Sequence, residues 1–362
     1  MNERNRRRRR PASHTALMAI CITLAVILVL LVAGTVIVSR YLNMIQRPGN
    51  ESTLSSSEID DILHATESED PNYTGATMNA TDVTWNTDLT EIEFDEEHYV
   101  NILLAGLDRR WGEDVSRSDA MVLVTFNKLN NTITLTSFMR DMYVQIPGYG
   151  DTKLNNSYFF GGTELLKKTI THNFGVPIDG VVAIDFYKFA DIVELVGGID
   201  VNLTEEEAEF LNETGTYGVG SIYQYDWTLV PGVNRLTGEQ ALAYARIRAL
   251  GGRGDFDRTG RQRAVLEALM HALKNKSLLY AIGMLDDVLP MVITDMSDSE
   301  IIQHIGNALP MLSSCTVKQL RVPAWESYEN VKINGQEVLL PNLEKIRETL
   351  KQELLYETDG QS

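Results

Sequence analysis

Cysteine is scarce in this sequence, and its scarcity excludes two kinds of site. The 362 residues contain only Cys21 and Cys315. Because Cys21 lies in an apolar run, a disulfide framework cannot form within the water-soluble part. There is no CxxC motif, and the six histidines show no HExxH spacing, which argues against a zinc site. Such a composition suits the cytosol, or the exterior of an organism that uses few disulfides.

Common nucleotide-binding and hydrolase motifs are also missing. The chain has no Walker A loop, no GxGxxG after a strand and no GxSxG nucleophile elbow. Its net charge is −18, and residues 1–40 hold seven arginines but a single acid, so the remainder is more acidic still. An acidic body without a basic helix-turn-helix repels DNA phosphates, and we therefore expect no nucleic-acid partner.

Charge is absent from residues 15–39, a run of 25 residues. A helix of that length measures roughly 37 Å, enough to cross the core of a bilayer. Five arginines at 6–10 precede it. The positive-inside rule therefore predicts a basic cytoplasmic tail over 1–14, a transmembrane helix over 15–39 and everything beyond it outside the cell. Cleavage as a signal peptide after Ala33 or Gly34 is the alternative.

Composition divides the rest of the chain. Residues 40–97 are rich in Ser, Thr, Asn, Asp and Glu without a sustained apolar period, which predicts a disordered extracellular stalk. Residues 98–355 alternate apolar runs with amphipathic segments, which predicts one α/β domain, and 356–362 form a short tail. The runs at 120–126 and 132–138 flank a turn, so they predict a hairpin. We expect a three-layer α-β-α sandwich around a mixed central sheet.

The apolar periodicity gives the expected elements. Strands are predicted at 99–106, 120–126, 132–138, 180–186, 198–202, 316–322 and 337–340, and helices at 163–173, 237–246, 187–196, 258–274, 278–289, 298–312 and 341–355.

Two carboxylates stand at the ends of neighbouring predicted strands. Asp108 begins the triplet DRR after the first strand, and Asp119 ends the triplet RSD before the second. A short loop joins these strands, so the two aspartates can face one another at one edge of the sheet. They would suit Mg²⁺, which takes one or two protein carboxylates with phosphate and water. Alternatively, both are loop acids paired with Arg110 and Arg117.

Two further polar clusters follow along the chain. Arg140 and Asp141 come directly after the second hairpin strand, so Arg140 is expected at the same rim; the alternative is a structural Arg–Asp pair. Lys153 and Asn155 lie in a turn-rich segment before a helix. Their ammonium and amide donors are suited to a sugar or a phosphate.

Arginine is concentrated in residues 244–263, against the acidic background. The stretch contains Arg246, Arg248, Arg253, Arg258, Arg261 and Arg263. Guanidinium groups bind phosphate oxygens two at a time, so the pattern predicts a phosphate site. Arg246 and Arg248 alternate as side chains on one face of an extended segment do. For Arg253 and Arg263, the charge of the side chain is the only argument for a role in phosphate binding, and we leave these two out of the predicted site.

The same stretch continues into a predicted helix. Arg258, Arg261 and Gln262 fall in its first turn, at a spacing that lets them share a face. A helix N-terminus is itself an anion site. The alternative is a solvated charged helix, balanced by Asp255 and Asp257, which could also cap it.

The order of these clusters matches that of one known family. The motifs are LDRR at 107–110, RSDAMVLV at 117–124, SFMRD at 137–141, IPGYGDTKLNNSY at 146–158, the GG at 161–162, VGGIDV at 196–201, and LTGEQALAYARIR followed by GDFDRTGRQ. They resemble the LytR–CpsA–Psr family of bacterial cell-envelope enzymes, well over 98–275 and more loosely beyond. Two positions depart from the family: Phe138-Met139 replaces the usual Ile-Pro, and Ala120 stands where Thr or Ser is common.

The resemblance implies a phosphotransferase. Such proteins move a glycopolymer (teichoic acid, capsule or another wall polysaccharide) from polyprenyl pyrophosphate to a hydroxyl of peptidoglycan, forming a phosphodiester and releasing polyprenyl phosphate. The resemblance implies that Asp108 and Asp119 bind Mg²⁺. It also implies that these two aspartates, Arg140 and Arg246 take part in catalysis. By resemblance, the pyrophosphate ligands are Arg110, Arg117, Arg140, Lys153, Asn155, Arg246, Arg248, Arg258 and Gln262.

A lipid substrate also requires an apolar pocket. Residues near 181–186 and 265–273 could line it, or could equally form a plain core. The general base stays open between Asp108, Asp119 and a metal-bound hydroxyl. Two other functions stay open as well: a non-catalytic protein that binds polyprenyl phosphate or glycopolymer, and a hydrolase of the same pyrophosphate. We expect a single-pass membrane protein of a Gram-positive-type bacterium, with the bilayer as a partner through its anchor.

Overall fold

The computed structural model describes residues 38–48, 56–63, 75–86, 90–108, 116–215, 226–274, 276–308, 310–311 and 314–355. The predicted basic tail, nearly all of the predicted membrane span and the C-terminal tail fall outside these residues. Within the described ranges, no helix is both long and apolar enough to span a bilayer. The chain divides into two units, Met1–Ile45 and Gln46–Ser362. The described part of the first unit includes a helical segment over 38–42.

The second unit alternates strands and helices. The strands are β1 Ala76–Met78, β2 Tyr99–Asp108, β3 Arg117–Asn127, β4 Thr132–Phe138, β5 Tyr143–Ile146, β6 Gly150–Lys153, β7 Gly180–Asp185, β8 Ile199–Leu203, β9 Gly232–Leu236, β10 Val292–Thr294, β11 Thr316–Val322, β12 Tyr328–Ile333 and β13 Gln336–Pro341. The helices are α1 Ser56–Leu63, α2 Asn156–Phe174, α3 Phe186–Val196, α4 Glu205–Thr214, α5 Gly238–Arg246, α6 Asp255–Lys274, α7 Leu278–Val288, α8 Asp298–Ala308 and α9 Leu343–Leu355, with 3-10 turns at Ala80–Asp82 and Leu289–Met291.

The central sheet has the strand order β10-β7-β2-β3-β4-β11. β3 is antiparallel to both β2 and β4, whereas β7 runs parallel to β2 and β11 runs parallel to β4. The sheet is therefore mixed, as the hairpin pattern predicted. This topology brings the carboxyl ends of β2, β4, β7 and β11 to one rim, where β3 begins. Ligands of α/β sheets commonly bind outside such a rim.

Apolar side chains cover both faces of the sheet. On one face, Leu123 of β3 packs in a core with Leu166 of α2 and Leu350 of α9. Its neighbour Val122 points to the opposite face and packs near Leu266 of α6. Successive side chains of a strand alternate between faces, so one apolar run serves both layers. The mixed α/β class is confirmed, with helices on either side.

Some predicted boundaries move and some short elements were missed. Helix α2 begins at Asn156 rather than at 163, and it is interrupted at Gly161 and Gly162. Gly162 has φ of 58°, a conformation that glycine adopts without steric strain. The helix predicted over 298–312 ends at Ala308. The strands β5, β6, β9 and β12 and the helix α4 were not predicted, because short segments leave little periodicity.

The disordered stalk predicted over 40–97 is wrong for the described residues of that range. Helix α1 lies there, and β1 pairs in parallel with β12. Ile62, Trp85 and Phe94 pack against the main core of the domain. These apolar residues are far apart in sequence and are partly buried against the core of the domain. They therefore produce no local hydrophobic period that the sequence could reveal.

Candidate functional site

A β-bulge sets the direction of Asp119. Ala120 lies opposite Gly106 and Ser118 lies opposite Leu107, which leaves Asp119 without a cross-strand partner. In a regular strand, consecutive side chains point to opposite faces, and a bulge breaks this alternation. Asp119 and Ala120 accordingly line the same cavity. The bulge thus turns a carboxylate toward the face of the sheet on which the cavity lies.

The cavity lies between the sheet and helices α3, α5 and α6, and it has a volume of about 720 Å³. Its apolar lining consists of Leu104, Ala105, Gly106, Ala120, Val122, Val182, Ile184, Phe186, Phe189, Ile192, Leu242, Ala245, Val265, Leu266 and Leu269. Successive side chains of β7 point to opposite faces of the sheet. Val182 and Ile184 line the cavity, whereas Val181 and Ala183 are buried in the core on the other face. The segments near 181–186 and 265–273 therefore serve both roles that the sequence left open.

Six charged residues and one glutamine line the cavity at the rim of the sheet, where the strands meet the start of α6. We call this set the mouth: Asp108, Asp119, Arg140, Arg246, Arg248, Arg258 and Gln262. The structure thus brings together seven of the predicted site residues. An apolar chamber with a cationic mouth is suited to an amphiphile with an anionic head.

Arg140 contacts three carboxylates at and beside the mouth. Its Nη1 lies 2.8 Å from Oδ2 of Asp119, and its Nε lies 3.4 Å from Asp141 and 3.6 Å from Asp255. Burial alone would lower the pKa of Arg140, but these carboxylates raise it above the usual value. Burial would likewise raise the pKa of Asp119, but Arg140 holds it below its usual range. Both groups are therefore charged at physiological pH.

Arg258 and Asp255 form a buried ion pair in the first turn of α6. The Nη2 of Arg258 lies 2.7 Å from Oδ2 of Asp255, and the Arg258 side chain is only 3% exposed. Burial lowers the pKa of Arg258 to about 10, in spite of Asp255. Burial also raises the pKa of Asp255, in spite of Arg258 and Arg140. Two kinds of carboxylate therefore contact the arginines of the mouth: Asp119, which is held ionised, and Asp255, which binds a proton more readily.

Arg246 and Arg248 lie at the end of α5 and just beyond it. That helix begins with the predicted capping box, in which Thr237 and Gln240 bind each other's backbone N–H groups. Arg246 is its last residue and Arg248 lies just beyond it. The alternation expected of an extended segment is therefore wrong, although both side chains reach the cavity.

These two guanidinium groups are held more loosely than Arg140. Arg246 Nη2 lies 3.9 Å from Asp108 Oδ1. Arg248 lies 3.8 Å from Asp119 and 3.9 Å from Asp255. Their side chains are 38% and 50% exposed. Long, exposed ion pairs contribute little to stability, so Arg246 and Arg248 can turn toward an incoming anion.

Arg117 does not line the cavity. Its Nε donates to Oδ1 of Asn156 at 3.0 Å, and its guanidinium lies 5.1 Å from the ring centroid of Phe159. Both partners belong to α2, so the side chain is engaged there rather than at the mouth. Arg110 lies outside the described residues, and its predicted role stays a prediction.

Lys153 and Asn155 also lie outside the cavity lining, but both touch the surroundings of Arg140. The Nζ of Lys153 lies 3.8 Å from Asp141, which in turn contacts Arg140. The backbone N–H of Asn155 donates to the carbonyl of Arg140 at 3.2 Å. In this structure the two residues support Arg140, and direct contact with a phosphate stays a prediction for both.

Arg261 departs from the face predicted for α6. Arg258 and Gln262 line the cavity, but Arg261 turns away from it. Its Nε donates to Glu207 at 2.8 Å and its Nη1 to the carbonyl of Ile247 at 3.2 Å. Arg261 therefore ties α6 to α4, and the expectation that it shares the phosphate-binding face is wrong.

Asp255 borders the mouth, and the sequence analysis did not assign it to the site. It was considered as a helix cap, yet its carboxylate contacts Arg140, Arg248 and Arg258. The available signal was the i, i+3 spacing of Asp255 and Arg258, which favours an ion pair on one helix. Its contact with Arg140 depends on the packing of α6 beside β4, which no local pattern reveals.

The donor set suits Mg²⁺ better than a metal that needs a cage of protein ligands. Among the residues described, no group of three or more His, Cys, Asp and Glu is arranged to hold a metal. Mg²⁺ needs only one or two carboxylates, with phosphate and water completing its shell. Both ion pairs of Asp119 use Oδ2, so Oδ1 takes no part in them, and Asp108 lies on the same cavity. These two residues therefore fit the ion.

Two kinds of curated relative match about half of the chain or somewhat more. Polyisoprenyl-teichoic acid–peptidoglycan teichoic acid transferase TagU of Bacillus cereus is 36% identical over 181 residues, 50% of this chain and 54% of the relative. Regulatory protein MsrR of Staphylococcus aureus is 32% identical over 238 residues, 65% of this chain and 68% of the relative. The chain thus spans about half the length of the TagU proteins it matches.

Solved structures share the fold. TagT bound to LI-WTA aligns with a TM-score of 0.58 and 28% identity, over 72% of this chain and 92% of TagT. YwtF (TagT) with bound octaprenyl pyrophosphate lipid aligns with a TM-score of 0.52 and 27% identity, over 72% and 93% of the two chains. B. subtilis TagV aligns with a TM-score of 0.56 and 30% identity, over 72% and 99%.

The family comparison covers most of the chain. A sequence model described as the LytR_cpsA_psr family matches residues 60–353. The match begins well before the domain boundary predicted at 98, in keeping with the packing of Ile62 and Trp85 on the core. The resemblance drawn from the motifs is confirmed, and the chain belongs to the LytR_cpsA_psr family.

Proposed function

We propose that this protein transfers a glycopolymer from polyprenyl pyrophosphate to a hydroxyl of peptidoglycan, forming a phosphodiester and releasing polyprenyl phosphate. The observation that carries the proposal is the cavity, whose apolar chamber ends at a mouth of arginines and carboxylates. A small soluble phosphate leaves such a chamber unfilled. The proposal also agrees with the name of TagU and with the octaprenyl pyrophosphate lipid bound in the YwtF (TagT) structure.

The chamber suits the polyprenyl chain. Val182, Ile184 and Leu269 line it and are only half-buried in the protein alone. An apolar occupant removes such surface from water, which stabilises the complex by about 25 cal/mol for each Å² covered. The phosphates stay at the mouth, because placing them in the apolar part would strip their charges of water without pairing them.

The mouth suits the pyrophosphate and the chemistry at its bridging oxygen. The acceptor oxygen forms a bond to the phosphorus that carries the polymer, and the bond to the bridging oxygen breaks. The electron pair of that bond leaves with polyprenyl phosphate. Arg140 and Arg258 are fixed by ion pairs and stabilise the developing charge without rearranging, while Arg246 and Arg248 are free to close on the substrate.

Mg²⁺ belongs to the proposal with Asp108 and Asp119 as its protein ligands. When bound, it would neutralise part of the negative charge of the pyrophosphate. The low pKa of Asp119 keeps that carboxylate ionised, which a metal ligand requires.

The acceptor hydroxyl must also lose its proton. Asp119 is a poor acceptor for it, because Arg140 depresses the pKa of that carboxylate. Asp255 is better suited, because burial raises its pKa and its carboxylate lies among the same arginines. We therefore add Asp255 to the two aspartates considered from the sequence and favour it as the proton acceptor.

We further propose that the domain works on the outer face of the cell membrane, attached by the apolar run at 15–39. Its lipid-linked donor is already activated, so the reaction needs no ATP. The polymer is the part of the donor that lies beyond the pyrophosphate and therefore beyond the mouth. It is teichoic acid, capsule or another wall polysaccharide.

The test is a reconstituted reaction with purified protein, polyprenyl-pyrophosphate-linked glycopolymer, peptidoglycan and Mg²⁺. We expect polymer bound to peptidoglycan through a phosphodiester, with one polyprenyl monophosphate released for each polymer attached. Release of the lipid without attachment would identify a pyrophosphate hydrolase. Tight donor binding with neither product would identify a binding protein, and either result would overturn the proposal.

A further inference from the structure

Aromatic and guanidinium groups form a cluster beside the mouth but outside the cavity lining. The rings of Phe256 and Trp325 are stacked, with centroids 5.0 Å apart and an interplanar angle of 18°. Tyr328 lies 5.4 Å from Phe256. Arg321 lies 4.5 Å from the Trp325 centroid and 4.7 Å from that of Phe256, and Arg253 lies 5.9 Å from Trp325. We call these five residues the aromatic platform.

The fold places the platform next to Arg140. Strands β4 and β11 run parallel, and Val322 lies opposite Phe138. Arg140 and Trp325 therefore follow the carboxyl ends of neighbouring strands, two and three residues beyond that pair. A hydrogen bond from the Met139 N–H to the Val322 carbonyl holds the two strand ends together.

A second connection runs through helix α6. Asp255 contacts both Arg140 and Arg258 of the mouth. Phe256, the next residue, stacks on Trp325. The platform therefore begins one residue away from a carboxylate that contacts two of the arginines proposed to bind phosphate.

Trp325 is exposed yet firmly held. Half of its surface, 51%, is open to solvent. Backbone hydrogen bonds fix the turn that carries it: Ser327 N–H donates to the Ala324 carbonyl, and Asn342 N–H donates to the Ser327 carbonyl. Lys345 also donates to the Glu326 carbonyl at 3.0 Å. A rigid aromatic surface that is already in place loses little conformational entropy when it binds a ligand.

We propose that the aromatic platform binds the peptidoglycan acceptor, with a pyranose ring of the glycan strand stacked on Trp325. This inference rests on the proposed transferase function. Sugar rings present apolar C–H faces that pack on aromatic rings, while their hydroxyl and amide groups stay in water. The acidic substituents of peptidoglycan complement Arg253 and Arg321, which flank the ring.

The geometry of the reaction assigns the platform to the acceptor rather than to the donor. In phosphoryl transfer, the attacking and leaving oxygens lie roughly in line through the phosphorus. The leaving polyprenyl phosphate is directed into the cavity, so the attacking sugar must approach from outside it. The platform lies outside the cavity and borders Asp255, the carboxylate that we favour as proton acceptor.

The experiment compares Trp325→Ala and Trp325→Phe with the unmutated chain. Isothermal titration measures the affinity for soluble peptidoglycan fragments and, separately, for polyprenyl pyrophosphate with and without its glycopolymer. Steady-state transfer gives KM for peptidoglycan and kcat. Tyr280→Ala is the matched control, because Tyr280 is also an exposed aromatic beside a cation, Lys276, at 4.7 Å, and it lies outside the mouth and the platform.

Trp325→Ala should weaken fragment binding and raise KM for peptidoglycan roughly threefold to tenfold, the range expected for one aromatic contact. Trp325→Phe should restore most of the affinity, and polyprenyl pyrophosphate binding should not change in any variant. Unchanged fragment binding in Trp325→Ala would overturn the proposal. So would weaker binding of the polymer-bearing donor alone, because the platform would then serve the donor.

The two proposals fail separately. A chain that binds fragments through Trp325 but never transfers polymer contradicts the transferase function and leaves the platform as a glycan site. A chain that transfers polymer with the same KM after Trp325→Ala contradicts the platform and leaves the transferase function intact.

Discussion

Gly106 and Phe186 meet so closely in the cavity wall that position 106 has no room for a side chain. A Cβ built on Gly106 would lie 2.5 Å from Cε1 of Phe186 and 3.0 Å from Cβ of Ala120. Both neighbours line the chamber. The shape of the chamber at this point therefore depends on the absence of one methyl group.

Gly106→Ala should displace the Phe186 ring and weaken binding of polyprenyl pyrophosphate roughly tenfold. Overpacking of this kind commonly changes free energies by about 1–3 kcal/mol. Titration with the lipid measures the effect. Gly283→Ala is the matched control, because a Cβ there meets nothing within 4 Å. Equal lipid affinity in the two variants would argue against lipid in the chamber.

Arg140→Ala should reduce transfer by roughly 10²–10³-fold, the loss seen when one preorganised donor is removed from a transition state. Arg140→Lys should recover little, because an ammonium group cannot reproduce the guanidinium fork that contacts Asp119 and Asp255. The transfer assay measures both variants, and circular dichroism checks that they fold. Arg235→Ala is the control, since Arg235 forms an exposed pair with Asp200. Full activity of Arg140→Ala would exclude this arginine from the chemistry.

Metal removal should abolish transfer, and Mg²⁺ should restore it. Asp119→Asn should raise the Mg²⁺ concentration needed for half-maximal transfer at least about tenfold, because a charged ligand is replaced by a neutral one. Asp200→Asn, a change at an exposed carboxylate, should leave the Mg²⁺ dependence as it is. A chelator-treated protein that transfers at full rate would rule out the metal.

Asp179 provides a test of stability against pH. Burial raises its pKa, in spite of the Asn101 N–H that donates to it at 2.6 Å. A carboxyl whose pKa is higher in the folded state than in the unfolded state stabilises the fold at pH values below its unfolded-state pKa. That contribution is lost as pH rises through the folded-state pKa. Asp179→Asn should therefore raise Tm by roughly 2 °C at neutral pH, and the gain should fade in acid.

Asp95→Asn is the control of opposite sign. The side chain of His98 and then the N–H of Glu97 lower the pKa of Asp95, so its contribution is present at neutral pH and lost as pH falls through the folded value. Asp95→Asn should lower Tm at neutral pH and have no effect in strong acid. Thermal melts of both variants across pH measure the two effects. Changes of Tm with the same sign at neutral pH would contradict the opposite pKa shifts assigned to Asp179 and Asp95.

Local patterns in the sequence predicted elements whose residues carry their own signal. Strand β4 at Thr132–Phe138 and strand β11 at Thr316–Val322 lie where the apolar runs predicted them. The helix that ends at Arg246 begins at the predicted capping box. These features are local, because a hydrophobic period or a cap is complete within a few residues.

Features that depend on distant partners were missed or misread. The apolar residues before Tyr99 pack against the folded domain and produce no local pattern, so their segment was predicted to be a stalk. Arg261 was grouped with Arg258 by helical spacing, but Glu207 of another helix draws it away. Arg117 was expected at the mouth, and Asn156 holds it elsewhere.

The sequence alone determined the family, the mixed α/β class and most of the charged residues of the mouth, because residue types at fixed spacing carry that information. Tertiary structure alone decided which of these residues meet. The bulge that turns Asp119 to the cavity is a shift of register between strands β2 and β3. The contact of Asp255 with Arg140 requires helix α6 to pack beside the end of strand β4. Neither relationship exists within one segment of chain, so only the folded protein determines them.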